Sequence, residues 1–237
     1  YWHMCKKLII CMGNSYKNGG RCLAGIEVKK SSGGYNIVKN ESGSPKWIRP
    51  VMKNDHNGIP ESMVKAFGML DVLEVDIANE VPIGAHSENV HFSSIYKVGH
   101  YEGSLIHLCD EGHSLIFGNR GKAVSEDVFS TGGYSLMFVK PTDLFIETLY
   151  DDYGHEKYRI QFTYKGNRYD FPLTDPEYIS LLQRGQRECG NRNEELYLTL
   201  SLGVNFNDWH YKLVAGVVEM RNNDKNEKRN IIHSWSF

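Results

Sequence analysis

The sequence predicts a mainly β fold, a β-rich α+β chain with a few short helices, arranged as two small β-barrels packed together. Three observations predict it. Short segments rich in β-branched and aromatic residues, most of them bounded by Gly, Asn, Asp or Pro, recur along the chain. Helical spacing of apolar residues is clear in only two places. The strand-like segments fall into two sets, one ending near residue 118 and one starting near residue 134, each with a single helix.

From the N-terminus, "KLIICM" and "LAGIEV" read as strands on either side of the polar, glycine-bearing stretch "GNSYKNGGR". "KWIRPV" is expected as a strand with Trp47 and Arg49 on one side and Ile48 and Pro50 on the other. Proline donates no ladder hydrogen bond, so Pro50 is expected at an edge or a strand end. "GIPESMVKAFGML" reads as a helix: Pro60 and Glu61 open it, and Met63, Val64, Phe67 and Leu70 follow at helical spacing. "DVLEVDI" is a strand. The region from "NEVPIGAH" to "SLIHL" has no stable period and reads as loop with short helix. "SLIFG" is expected as a strand, and the polar stretch "GNRGKAVSEDVFSTGG" as the divider.

Beyond it, "SLMFVKP" and "LFIETLY" read as strands. In "YRIQFTYKGNRYDFPL", Tyr158, Ile160, Phe162 and Tyr164 alternate with polar neighbours, Lys165-Gly166-Asn167 turns, and Tyr169 and Phe171 return. "DPEYISLLQRG" is a helix with Asp175 as N-cap, Pro176 at the first position, Glu177 at the positive dipole end and Gly185 at the close. "LYLTLSLG" and "YKLVAGVVEM" are the last strands before a charged turn or tail, "RNNDKNEKRN", with "IIHSWSF" expected to dock back. The expected division is 4–125, carrying a helical or loop insertion, 126–221, and a polar tail at 222–237. The residues before Met4 are set outside the fold.

The length of 237 residues fits one large or two small domains. Net charge is −2, which counts against strong nonspecific nucleic-acid binding yet permits a local basic groove. Five cysteines, an odd number without a CxxC pair, argue against a zinc ribbon or a disulfide framework and for reduced thiols. Cys11 and Cys22 flank the first loop and are expected as strand neighbours. No apolar run approaches the roughly 18–20 residues of a membrane span, and no secretory signal pattern opens the chain. The expected location is the cytoplasm, without a membrane partner.

An apolar strand leading to "GNSYKNGGRCLAG", then "WIRPV", "LDVLEV", "GNRGKAV", "LTDP" and "LTLSLG…YKLVAGVV" occur in the order found in the bacterial dual OB-containing domain proteins. The chain resembles that family over most of residues 5–220. The resemblance implies two OB-like barrels and no defined reaction.

Three glycine-framed clusters of donors stand out as ligand-binding candidates: Asn14, Lys17 and Arg21; Trp47 and Arg49; and Asn119, Arg120 and Lys122. Cations beside loop N–H groups suit phosphate, and an aromatic with a neighbouring cation suits a base. The first loop is neither GxxxxGK[ST] nor GxGxxG, so a solvated hairpin is the competing reading. All three clusters are expected on one wall of one cleft. No metal and no cofactor are expected: the ten histidines show no HExxH or HxH spacing, and His86 and His91 suit neither one helical nor one strand face. "DWHYK" would put Asp208, His210 and Lys212 on one face if extended, but no activated nucleophile pairs with them. The expected function is a non-enzymatic binding module for single-stranded nucleic acid or a nucleotide, in a bacterial defence or stress system. The alternatives are an enzyme acting on a nucleotide or modified base, using His210, Asp208 or Cys22, and an adaptor for a protein partner from the same operon.

Overall fold

The computed structural model describes residues 5–17, 19–53, 58–130 and 132–220. The expected tail at 222–237, with its docking strand, and the residues before Met4 lie outside these.

Cys5–Lys17 (β1) and Gly20–Ser31 (β2) form a long antiparallel hairpin. Gly20 takes φ 146° at the turn, where a Cβ would lie 2.1 Å from the Ile59 carbonyl oxygen, so only glycine fits. Gly34–Ile37 (β3) adds an edge to β2. Trp47–Val51 (β4) pairs antiparallel with β2 at Trp47 and Ile48, then parallel with Asn89–His100 (β6) at residues 49–51. Pro50 therefore ends the β2 pairing but stands inside the barrel wall, not on an edge. A short helix, Glu61–Val64 (α1), leads to Asp71–Glu80 (β5), which pairs with both β1 and β6. The ladder closes as β1-β2-β4-β6-β5-β1. That is a five-stranded Greek-key barrel, the OB circuit.

The second unit repeats the circuit with its ladder divided between two four-stranded sheets. Ala123–Ser125 (β7) is followed by Leu136–Val139 (β8) and Thr142–Tyr150 (β9), one chain path broken at Pro141. Glu156–Tyr164 (β10) and Asn167–Pro172 (β11) form the expected hairpin, with Lys165 and Gly166 at φ 44° and 80° in the turn. Pro176–Gln183 (α2), Gly190–Arg192 (β12), Leu196–Leu202 (β13) and Trp209–Glu219 (β14) complete it. β8 pairs with β13 while β9 pairs with β10, and a parallel bridge from Leu173 to Val214 joins the end of β11 to β14. Counting only the strands of the two circuits, both units run three (β1, β2 and β4; β8–β9, β10 and β11), a helix, then two (β5 and β6; β13 and β14).

The apolar run in β1 has no alternation because both of its faces are buried. Ile9 and Cys11 pack inside the first barrel with Leu23, Ile48, Leu73 and Val75. Ile10 and Met12 face the other way, into a cluster with Phe138, Tyr197 and Val218 of the second barrel. One core is therefore shared by both halves.

Four sequence expectations change. The region after "NEVPIGAH" contains β6, a twelve-residue strand. Its register against β5 shifts at three places, and each shift resets the period of two that would have marked it. "SLIFG" is a 3₁₀ turn at Ile116–Gly118 with Phe117 at φ 50°, since the Ile116 N–H and C=O are taken by the Tyr169 hydroxyl and the Lys212 ammonium. The first helix stops at Val64 because Asn14 Nδ2 binds the carbonyls of Val64 and Phe67, at 2.8 and 3.0 Å, and so satisfies the carbonyls at its end. Cys11 and Cys22 are not cross-strand partners: Cys11 faces Gly25 and Cys22 faces Ser15. Among the described residues no helix is long and apolar enough to cross a membrane.

Candidate ligand-binding cleft

Strand β4 points Ile48 into the first core, so alternation turns Arg49 outward against the second barrel. Arg49 is only 3% exposed there. Its Nη1 donates to Ser135 Oγ at 2.9 Å and its Nη2 to Ser201 Oγ at 3.2 Å, while Nε has no partner. Ser135 in turn donates its hydroxyl proton and its backbone N–H to the Glu88 carboxylate, at 2.8 and 2.7 Å. Serine hydroxyls thus stand where a buried guanidinium would ordinarily meet a carboxylate.

Beside Arg49 a cleft of about 500 Å³ opens between the barrels. The first barrel lines it with Lys17 at the end of β1, Cys22 on β2, Asn89 at the start of β6, and Ile83 and His86 in the loop before β6. The second barrel contributes Ser201, the turn at 203–205 and His210. In OB barrels, the face of strands two and three and the loops joining strands one–two and four–five bind oligonucleotides. In the first barrel β2, β4, Lys17 where β1 meets the first of those loops, and the 81–88 loop all contribute to this cleft.

Burial grades the cleft from floor to rim. Arg49, Asn89, Ser201 and His210 are buried, whereas Tyr16, Ile83 and Val204 are each at least 60% exposed. The Asn89 carboxamide oxygen, like Arg49 Nε, has no partner. Burial, reinforced by the charge of Arg49, holds the Lys17 ammonium below the ordinary lysine range, and among the described residues no carboxylate pairs with it.

The two histidines differ. His86 donates from Nε2 to the Leu202 carbonyl at 3.0 Å, and burial, then the Arg49 charge, pushes its pKa down to about 3. It is a neutral ring at physiological pH. His210 lies edge-on to it at 5.5 Å, with Nδ1 on the Gly203 carbonyl at 2.7 Å and Nε2 on the Glu126 carboxylate. That last bond holds the Glu126 carboxyl below its usual range. Both ring nitrogens of His210 are spent on the protein, so His210 clamps the 203–208 hairpin and leaves no nitrogen for a substrate. Asp208 does not share its face: it sits in the turn at φ 67°, while His210 and Lys212 point inward. Lys212 is buried with its ammonium on Ile116 O, Asn119 O and Asn119 Oδ1.

Of the candidates read from the sequence, Lys17 and Arg49 meet in this cleft. The others do not join them. Asn14 closes the end of α1, and Arg21 binds Asn14 O and Glu61 and lies over the Tyr16 ring, 4.7 Å from its centroid. Arg21 therefore faces a separate hollow with Lys65 and Glu177. Trp47 packs half-buried on the shared core. Asn119 is held by Lys212 and by the Ala123 carbonyl, Arg120 binds Asn167 at 2.7 Å, and Lys122 is exposed. The expected single wall divides because strand alternation and local partners claim these groups separately. Ser135, Ser201, Glu88 and Asn89 carry no local signal, since their role arises from contacts between residues 86 and 152 positions apart.

The dual OB-containing domain model matches residues 7–217. The chain belongs to this family. Among curated proteins, none matches the sequence. Among solved structures, the tetrameric p202 HIN2 is similar at 8% identity, covering 92% of this chain and 94% of that one, with a TM-score of 0.27. The wild-type single-stranded DNA binding protein from Thermus aquaticus is similar at 11% identity, covering 92% and 93%, with a TM-score of 0.22. Neither likeness is close enough to carry a role to this dual OB-containing protein.

Proposed function

We propose that this dual OB-containing protein is a non-enzymatic binding module for single-stranded nucleic acid or a nucleotide, held in the cleft between its barrels. The observation that carries the proposal is Arg49: a guanidinium 3% exposed, without a carboxylate, with an unpaired Nε, on the ligand face of an OB barrel. A buried cation without an anion is costly unless a ligand supplies one. Lys17 on the same wall adds a second cation. The 203–208 hairpin brings Phe206, Trp209 and Tyr211 to the surface, 64%, 47% and 49% exposed, and such rings stack on bases for about 1–3 kcal/mol each. The cleft volume suits a small ligand or one to two residues of a strand.

Binding of labelled single-stranded DNA and RNA oligonucleotides and of nucleotides, titrated at two salt concentrations, tests this. Affinity should fall with salt, and Lys17→Ala should weaken it roughly tenfold, the worth of one charge-assisted contact. Turnover of any of these ligands would favour the enzyme reading. Binding that ignores both salt and Lys17→Ala would refute the assignment of the cleft.

A further inference from the structure

The cleft runs from a buried floor at Arg49 to an exposed rim. The barrels bridge it on three sides. On the floor Arg49 reaches Ser135 and Ser201. On one flank the Tyr16 N–H reaches the Thr174 carbonyl at 3.4 Å. On the other His86 binds Leu202 O, and Gly84 lies so near Glu126 that a Cβ there would be 2.7 Å from Oε1. The exposed residues Tyr16, Ile83 and Val204 mark the open side, and they are aromatic or aliphatic. A phosphate that reaches the buried Arg49 must enter between these contacts, which suits the end of a strand better than its interior.

The charge count points the same way. The Glu126 carboxylate is turned onto His210 Nε2 and Asn205 Nδ2, and His86 is neutral. Arg49 and Lys17 remain, two cations that among the described residues form no salt bridge; the Glu88 carboxylate reaches Arg49 only through the Ser135 hydroxyl. An internal phosphodiester brings one negative charge, whereas a terminal phosphate monoester carries about −1.5 to −2 at neutral pH and three acceptor oxygens. Arg49 and Lys17 both line the cleft and supply the cations for it.

Resting on the nucleotide-binding reading above, we infer that the socket recognises a terminal phosphate monoester, on a strand end or a free nucleotide, with the phosphate at Arg49 and Lys17 and the rest of the ligand leaving over the apolar rim. The protein would read ends of nucleic acid, not its interior.

The test compares, by fluorescence anisotropy on the full chain, one short oligonucleotide sequence in four forms: 5′-phosphorylated, 3′-phosphorylated, hydroxyl at both ends, and circular. Nucleoside monophosphates and inorganic phosphate serve as competitors. One phosphorylated form should bind at least tenfold more tightly than the hydroxyl and circular forms. Competition by the monophosphates alone would assign the site to a free nucleotide, which the inference includes. Lys17→Gln, at a half-exposed position that bridges nothing, should erase most of the preference, and Arg49→Lys, which keeps the charge, should reduce it. Equal binding of circular and phosphorylated forms would overturn end recognition while leaving strand binding intact. Failure of every nucleotide and oligonucleotide to bind would overturn both.

Discussion

Asp175 shows what burial does to a charged cap. Its carboxylate accepts from Glu177 N and Tyr178 N at the start of α2 and from Val217 N at 3.0 Å on β14, so it fastens the helix to the barrel. Three N–H donors favour the charged form, yet burial outweighs them and pushes the pKa up to about 6 from 3.8. The folded protein therefore binds this proton more tightly than the unfolded chain does. The stabilisation is complete below the unfolded value and is lost as pH rises through about 6. Asparagine caps equally well without titrating. Relative to Asp175→Asn, the native protein should lose about 3 kcal/mol of unfolding free energy between pH 3.5 and 7, by urea denaturation at each pH. A pH-independent difference would show that the carboxyl titrates normally. The same balance, a cost of burial met by partners, is left open at Arg49, whose Nε has none.

At the scale of elements, the β13–β14 hairpin connects the fold to the cleft. Its turn places Asn207 and Asp208 at φ 50° and 67°, the left-handed pair of a two-residue turn, and the same hairpin supplies residues 203–205 and His210. Asp208→Val should cost about 1–2 kcal/mol, because a β-branched residue is strained there, while Asp208→Gly should match or exceed the native stability. If Asp208 had an acid–base role instead, Asp208→Gly would abolish a reaction rather than preserve binding. This hairpin's strands were legible in the sequence because "LYLTLSL" alternates and "LVAGVV" is a continuous apolar run, buried from Val214 to Val218. The β10–β11 hairpin and the Asp175 cap were legible for the same reason: turn residues and caps act locally. Strand β6 was not, since its bulges erase the period, and "SLIFG" was not, since side chains distant in sequence hold its backbone. The site follows this rule. Lys17 and Arg49 are visible as cations beside strands, but the cleft they share is completed by Ser135 and Ser201, 86 and 152 residues from Arg49.

The whole molecule has two barrel interiors joined by a third apolar cluster that both barrels line. Ile10 and Met12 on β1 share a core with Phe138, Tyr197 and Val218, so neither barrel can unfold without exposing the other's apolar surface. Heating should give one transition with equal calorimetric and van't Hoff enthalpies; two separate transitions would show that the halves are independent. The distance between the barrels is set by glycine. A Cβ on Gly216 would lie 2.7 Å from the Met12 carbonyl oxygen, a backbone atom that cannot step aside, and Gly13 packs against Ala215 across the same junction. Gly216→Ala should therefore push β14 away from β1 and cost about 1–3 kcal/mol, as overpacking does. Because the walls of the cleft belong to different barrels, the same displacement should weaken ligand binding. Gly166→Ala supplies the control: its φ of 80° strains an alanine, no atom lies within 4 Å of the new Cβ, and the turn is outside the cleft. Stability should fall in both variants and affinity only in Gly216→Ala. Loss of affinity in both would mean that binding follows global stability, and retention in both would mean that the ligand does not depend on how the barrels are joined.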